Sequence, residues 1–123
     1  MLPLTSMVAA LAAVALFAMS IAVSLRRMKV GVNIGFGDDA LLMRRIRAQG
    51  NFTEYVPLAL ILLGLAEYRQ APELVLWTIA GLLIVGRCLH FVGIMTGTTA
   101  LRVPGMVGTY GALLVGAGAL LFA

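Results

Sequence analysis

RAQGNFTEYVP, from Arg47 to Pro57, is the stretch that decides how this chain folds. It places an arginine, a glutamine, an asparagine and a glutamate directly before the apolar segment LALILLGLA. The apolar run from Tyr55 to Ala66 is too short to cross a bilayer by itself, because a spanning helix needs about 20 residues. The run becomes long enough only if its helix also includes the polar residues that precede it. We therefore predict that the polar stretch lies inside a spanning helix.

Composition places the whole chain in a membrane. Of its 123 residues, 62% are hydrophobic and 11% are charged, whereas soluble domains are about 45–50% apolar. Three further apolar runs are each long enough to span a bilayer: residues 2–25, 74–94 and 103–123. The sequence predicts an all-α integral membrane protein with four transmembrane helices. It forms a single domain over residues 1–123, with helices at about 2–25, 40–68, 73–94 and 102–122.

The distribution of charge predicts the orientation in the membrane. Six of the nine basic residues lie between Arg26 and Arg47, and basic connections stay in the cytoplasm. Both termini are then expected on the opposite side. The first apolar run is longer than the core of a signal peptide and has no basic segment before it, so we expect it to be retained. The net charge of +4 thus indicates topology and contact with membrane lipid, and no nucleic-acid partner is predicted.

The polar side chains of the second predicted helix share one face. A helix turns about 100° per residue, and four of these side chains fall within an arc of about 80°: Arg44, Arg47, Asn51 and Glu54. Tyr55 lies at the edge of this arc, whereas Gln49 points the other way and could serve a neighbouring helix or subunit. A polar stripe is therefore expected to run from the cytoplasmic surface into the bilayer.

The predicted topology brings Arg87, His90 and Arg102 to the same cytoplasmic half as this stripe. Ionisable groups in spanning helices cost about 2.5–3.5 kcal/mol and commonly mark a functional site. A structural alternative stays open, in which Glu54 pairs with Arg87 or Arg102 only to lock the bundle. His90 could equally be a hydrogen-bonded packing residue. The cluster is a hypothesis for a binding site on these grounds alone.

Disulfide and metal chemistry find little support in the sequence. Cys88 is the single cysteine, so no intramolecular disulfide can form, and inside an apolar run it is expected to be a small apolar filler. One histidine without an acidic cluster does not provide metal-ligand spacing. No metal site is predicted.

The polar stretch resembles the signature of the MAPEG family, the membrane-associated proteins of eicosanoid and glutathione metabolism. The positions that match are Arg47, Asn51, Glu54 and Pro57. The Ala-Gln and Glu-Tyr pairs of the stretch are similar to those of the leukotriene-forming synthases in that family. LRVP at 101–104 is similar to the segment that bears the family's arginine at the start of the fourth helix. The resemblance covers the chain, and it implies a small bacterial-type member in the inner membrane.

The resemblance also implies a homotrimer that binds glutathione, as a co-substrate, between neighbouring subunits near the cytoplasmic side. It assigns glutathione binding to Arg47, Asn51, Glu54 and Tyr55, to Gln49 of the adjacent subunit, to Arg26 or Arg27 after the first helix, and to Arg87 and His90 in the third. It assigns catalysis to Arg102, which would hold the sulfur as a thiolate. Glutathione carries two carboxylates, which suit arginine, and an amine, which suits Glu54.

The activity implied is that of a membrane glutathione transferase acting on lipophilic electrophiles, with peroxidase activity toward lipid hydroperoxides as a further possibility. His90 and Ile94 stand where the synthases have tyrosines, so no eicosanoid specificity is inferred. A non-catalytic membrane scaffold that binds lipid or glutathione is the alternative. A third class, the small drug-proton antiporters, resemble one another in an essential glutamate in the first helix, and that helix here has no acid.

Overall fold

Four helices make up the computed structural model, which describes residues 1–122. In chain order they are α1 (Pro3–Val30), α2 (Ala40–Tyr68), α3 (Glu73–Thr96) and α4 (Thr99–Phe122). Helices α1, α3 and α4 are each long and apolar enough to cross a membrane. Helix α2 has 29 residues, about 43 Å at 1.5 Å per residue, and carries the polar stripe in its first half. The predicted all-α membrane fold is confirmed.

Helix α1 is longer than predicted. It continues past the expected end at Leu25 to Val30 and stops at Gly31. Gly31 adopts a left-handed backbone (φ +70°) and its N–H donates to the carbonyl of Arg27. The basic side chains of the last turn do not interrupt the helix, because cations are favourable near the carbonyl end of a helix.

The connection between α3 and α4 is shorter than predicted. Helix α3 ends at Thr96 and not at Ile94, and Gly97 caps it in a left-handed conformation (φ 72°). Helix α4 begins at Thr99 instead of Arg102, and the carbonyl of Thr98 accepts the N–H of Arg102 at 3.1 Å. Arg102 therefore lies in the first turn of α4, which begins only a few residues after α3 ends.

Asp39 joins the end of α1 to the beginning of α2. Its side chain caps α2 by accepting the N–H of Leu42 at 2.7 Å, which satisfies one of the free donors of the first turn. The Arg26 guanidinium donates to both oxygens of the same carboxylate, at 2.9 and 2.8 Å. These two hydrogen bonds to the charged form lower the pKa of Asp39 to about 2. The carboxylate is thus ionised throughout the physiological pH range.

Glu67 makes the corresponding link at the other end of the bundle. Its carboxylate accepts the N–H of Leu4 at 2.9 Å and that of Thr5 at 2.8 Å. The first N–H groups of a helix have no partner within it, so a side chain of α2 completes the start of α1. The two helices are fastened at both ends.

Helix α2 is the central element, because it packs against α1, α3 and α4. The most extensive contact in the bundle is between α3 and α4. The buried core runs along one face of α2 and continues into its neighbours: Phe52, Val56, Ala59, Leu63, Ile79, Leu83 and Ala112. Many large apolar side chains point outward instead, among them Phe17, Ile61 and Val107. This outer surface suits lipid acyl chains.

Candidate functional site

A cleft opens between α2, α3 and α4 at the end of the bundle that holds the α1–α2 and α3–α4 connections, here called the basic end. The cavity has a volume of about 410 Å³, within the range of roughly 300–1,000 Å³ that small-molecule sites occupy. The first half of α2, the last turns of α3 and the first turns of α4 form its walls. All three polar regions that the sequence singled out in the spanning helices thus meet at one end of the bundle.

The cleft has a cationic lining. Arg44, Arg47 and Arg102 all line it, and no aspartate or glutamate does. Asn51, Tyr55 and Tyr110 add groups that donate hydrogen bonds. Within residues 1–122 no group of histidine, cysteine and acidic side chains could hold a metal ion. The chemistry of the lining suits an organic anion.

Helix α2 supplies one wall through residues three and four positions apart. Arg47, Asn51 and Tyr55 line the cleft, as expected for residues on one face of a helix. Glu54 lies beside the lining, and its Oε1 is 3.7 Å from Nη2 of Arg47. Both side chains are more than half exposed, at 57% for Arg47 and 55% for Glu54. Such an exposed pair contributes about 0–1 kcal/mol, so both groups are free to exchange it for a ligand.

Glycines bring α3 and α4 close enough to form the opposite wall. A Cβ on Gly93 would lie 2.7 Å from Cα of Arg102, and a Cβ on Gly105 would lie 2.7 Å from Cα of His90. A Cβ on Gly86 would likewise lie 2.8 Å from the carbonyl oxygen of Gly105. Real Cβ atoms do not approach that closely, so only glycine permits this backbone contact. The contact places the backbones of Arg102 and His90 at the cleft.

Arg87 lies behind the cleft. Its Nη2 donates to Oδ1 of Asn51 at 2.7 Å, and its Nη1 donates to the Asn51 carbonyl at 3.4 Å. Arg87 itself is absent from the cleft lining. The structural alternative in which Glu54 pairs with Arg87 or Arg102 is wrong, because Glu54 is paired with Arg47 and no such pair occurs in residues 1–122.

Three residues that the resemblance assigns to glutathione lie away from the cleft of their own subunit. Gln49 faces α1, and its Nε2 donates to Oγ of Ser20 at 2.9 Å. Arg26 is bound to Asp39, and Arg27 donates to the carbonyl of Gly35 at 2.6 Å. A role for these side chains in binding requires a cleft on a neighbouring subunit and stays a prediction.

Sequence reasoning missed two groups on α4 and left Arg44 unassigned. Tyr110 lines the cleft, and its ring packs edge-on against that of Tyr55, with centroids 5.7 Å apart. Met106 lines the cleft between Tyr110 and Arg102. The spacing of four residues from Arg102 to Met106 to Tyr110 is a signal for one helix face. Arg44 lines the cleft and donates to the carbonyl of Met95 at 3.2 Å.

A second cavity, of about 360 Å³, lies between α1, α2 and α3. Its lining is apolar apart from Arg87 and His90 at one side, and it includes Met19, Phe52 and Cys88. His90 lines both cavities and is buried, with 4% of its surface exposed. The histidine therefore forms part of the partition between a cationic cleft and an apolar groove.

Comparison with known proteins connects this geometry to a family. Residues 5–122 match the MAPEG family. The chain is 32% identical over 113 residues to the inner membrane protein YecN of Escherichia coli K12, an alignment that covers 89% of this chain and 86% of the relative. The protein of the same name from Escherichia coli O6:H1 matches equally. No solved structure shows significant similarity to the chain.

Proposed function

This chain belongs to the MAPEG family, and from that premise we propose that it is a membrane-bound glutathione transferase. The observation that carries the proposal is the cleft lining, with three arginines and no acid. Glutathione is an anion with two carboxylates, one amine and one thiol, and the cleft together with Glu54 beside it offers a partner for each kind of group. We infer the bound ligand from this match in charge together with the family.

The carboxylates of glutathione are assigned to the arginines of α2. Arg44 and Arg47 lie one turn apart on the wall of the cleft, and guanidinium groups bind carboxylates through paired hydrogen bonds. Glu54, an exposed acid beside Arg47, takes the amine. When the ligand binds, the weak Arg47–Glu54 pair is replaced by two pairs, one between Arg47 and a carboxylate and one between Glu54 and the amine.

The thiol is assigned to Arg102. A thiol with a pKa of about 8.5 is mostly protonated at neutral pH, and a fixed cation stabilises its thiolate. An arginine stays charged and does not accept the proton, so the proton passes to water. The thiolate sulfur then forms a bond to the carbon of a lipophilic electrophile, and the leaving group departs with the electron pair of the broken bond.

The electrophile is proposed to enter from the bilayer, and a lipid hydroperoxide is a second substrate class. We further propose a homotrimer in a bacterial inner membrane with the basic end in the cytoplasm. In that assembly Gln49 and Arg26 or Arg27 of one subunit reach the cleft of the next. The excess of basic residues at that end and the named relative support the location.

A non-catalytic scaffold of the same fold is the second candidate. Ile94 lines the cleft at a position where the leukotriene-forming synthases have a tyrosine, so that position provides no hydroxyl. Tyr110 brings a hydroxyl-bearing ring to the same cleft from α4. The absence of the tyrosine hydroxyl at position 94 favours the scaffold, which would bind lipid or glutathione without consuming an electrophile.

The two candidates are separated by assaying the wild-type protein in lipid nanodiscs. We expect saturable binding of glutathione by calorimetry and glutathione-dependent conjugation of chlorodinitrobenzene above the rate in empty nanodiscs. Binding without conjugation, and without reduction of a lipid hydroperoxide, would establish the scaffold. If millimolar glutathione neither binds nor is turned over, the transferase is contradicted and a scaffold that binds lipid is favoured.

A further inference from the structure

Arg87 is a charged residue inside a spanning helix, and no acid among residues 1–122 pairs with it. The ion pairs within residues 1–122 are Arg26–Asp39 and Arg47–Glu54. The hydrogen bonds of Arg87 all go to one residue, through Oδ1 and the main-chain carbonyl of Asn51. Two contacts to a single asparagine tie α3 to the middle of the polar stripe on α2.

The direction of these hydrogen bonds determines which end of the Asn51 side chain faces Arg87. A guanidinium group has donors and no acceptor, so only the oxygen of the amide can face it. The 2.7 Å contact therefore occupies Oδ1 and leaves the Nδ2 hydrogens. Nothing in residues 1–122 accepts a hydrogen bond from that nitrogen. Asn51 lines the cleft and Arg87 does not.

We propose that Arg87 is a positioning residue that holds the Asn51 amide with its nitrogen available to the cleft, so that Asn51 recognises an acceptor oxygen of the ligand. This inference rests on the proposed function, because it describes how the same cleft recognises glutathione. A free asparagine can rotate and offer either its oxygen or its nitrogen. Held by Arg87, the amide keeps its oxygen toward the guanidinium and its two N–H donors directed away from it, so it favours a carboxylate or carbonyl oxygen over an ammonium group.

The placement of the other groups on α2 agrees with this division of roles. Arg47 and Asn51 present donors, and Glu54, three residues after Asn51, presents the acceptor. The amine of the ligand then has one place to bind along this wall. A locked Asn51 prevents the ligand from binding in the reversed direction, in which its amine would face Asn51.

A double-mutant cycle tests whether Arg87 acts through Asn51. Arg87→Met and Asn51→Ala are each expected to weaken glutathione binding about tenfold. Because both remove the same interaction, the double variant should also be weakened about tenfold and not about a hundredfold. The loss should appear in KM with kcat little changed, and Arg87→Lys, which retains a donor, should recover most of it. Independent, multiplicative losses would show that Arg87 contacts the ligand itself and would overturn the proposal.

Asn51→Asp provides a second test that does not depend on the stability of Arg87→Met. Aspartate keeps an acceptor for Arg87 and removes the two N–H donors, so the fold should be retained while glutathione binding is lost. Unchanged affinity in Asn51→Asp would contradict a donor role for the Asn51 nitrogen.

The orientation of the amide can be measured without any ligand. Asn33 and Asn51 are the two asparagines in the chain, so labelling with ¹⁵N-asparagine yields two side-chain NH₂ signals. We expect the Asn51 signal to shift and broaden in Arg87→Met, and to change less in Arg87→Lys, while that of the loop residue Asn33 stays unchanged. An Asn51 signal that does not respond would overturn the inference. If it responds although wild-type protein binds no glutathione, the proposed function fails and the positioning role of Arg87 stands.

Discussion

Replacing Arg102 by alanine should lower kcat for glutathione conjugation by about a hundredfold to a thousandfold, the effect of removing one fixed electrostatic donor from a reaction centre. Arg102 lines the cleft and is exposed to it, and it is the arginine assigned to the thiolate. Binding of glutathione should change much less, because Arg44 and Arg47 still hold the carboxylates. The loss is therefore expected in kcat and not in KM.

The pH dependence of the rate distinguishes thiolate stabilisation from a structural effect. In wild-type protein the bound thiol should ionise below its usual pKa of about 8.5, so that the rate is already maximal near neutral pH. In Arg102→Ala the rate should continue to rise until the pH passes about 8.5. Arg102→Lys keeps a cation and should retain the wild-type profile at a lower rate.

Arg69→Ala is the matched control. Arg69 lies at the opposite end of the bundle, where its Nη1 donates to the carbonyl of Leu120, and its loss should leave both kcat and the pH profile unchanged. Equal kcat in wild type and Arg102→Ala would remove Arg102 from the mechanism.

Substituting alanine for Gly93 or Gly105 should lower the free energy of unfolding by about 1–3 kcal/mol, the usual cost of forcing an extra methyl group into a packed contact. The atoms that the new Cβ would meet are backbone atoms of Arg102 and His90, which cannot move aside as a flexible side chain would. Helix α4 must shift instead. The conjugation rate should also fall, even in protein that remains folded, because the shift displaces Arg102 from the thiol.

Gly81→Ala provides the control for this experiment. Nothing lies within 4 Å of a Cβ at Gly81, and replacing a helical glycine by alanine gains about 0.5–1 kcal/mol. The unfolding temperature and the conjugation rate are measured for each variant in nanodiscs. The unfolding temperature should rise in Gly81→Ala and fall in Gly93→Ala. If Gly93→Ala and Gly105→Ala were as stable and active as wild type, the close α3–α4 contact would not exist.

The sequence could predict that α2 includes its polar residues, because the apolar run alone is too short to span a bilayer. The apolar run after Pro57 was too short, so the polar residues before it had to be helical, and the structure confirms a continuous helix from Ala40 to Tyr68. Helical spacing also correctly grouped Arg47, Asn51 and Tyr55 on one wall. These were properties of a single helix, which a local pattern can specify.

Properties that depend on two helices were harder to predict. The pairing of Arg87 with the Asn51 oxygen depends on how α3 is rotated against α2, and no periodicity in either helix reports that rotation. Tyr110 was missed for the same reason, although its spacing from Arg102 was visible in the sequence. Gly105 and Gly108 pack closely against α3, and small residues spaced along one helix do not by themselves identify the partner helix.

The most direct test of the account is a structure of the protein determined in lipid nanodiscs with glutathione present at saturation. We expect a trimer with glutathione in each cleft, its carboxylates at Arg44 and Arg47, its sulfur at Arg102, and Gln49 of the adjacent subunit in contact with it. Clefts without glutathione at that concentration, or glutathione bound at a surface that excludes Arg47 and Arg102, would contradict it.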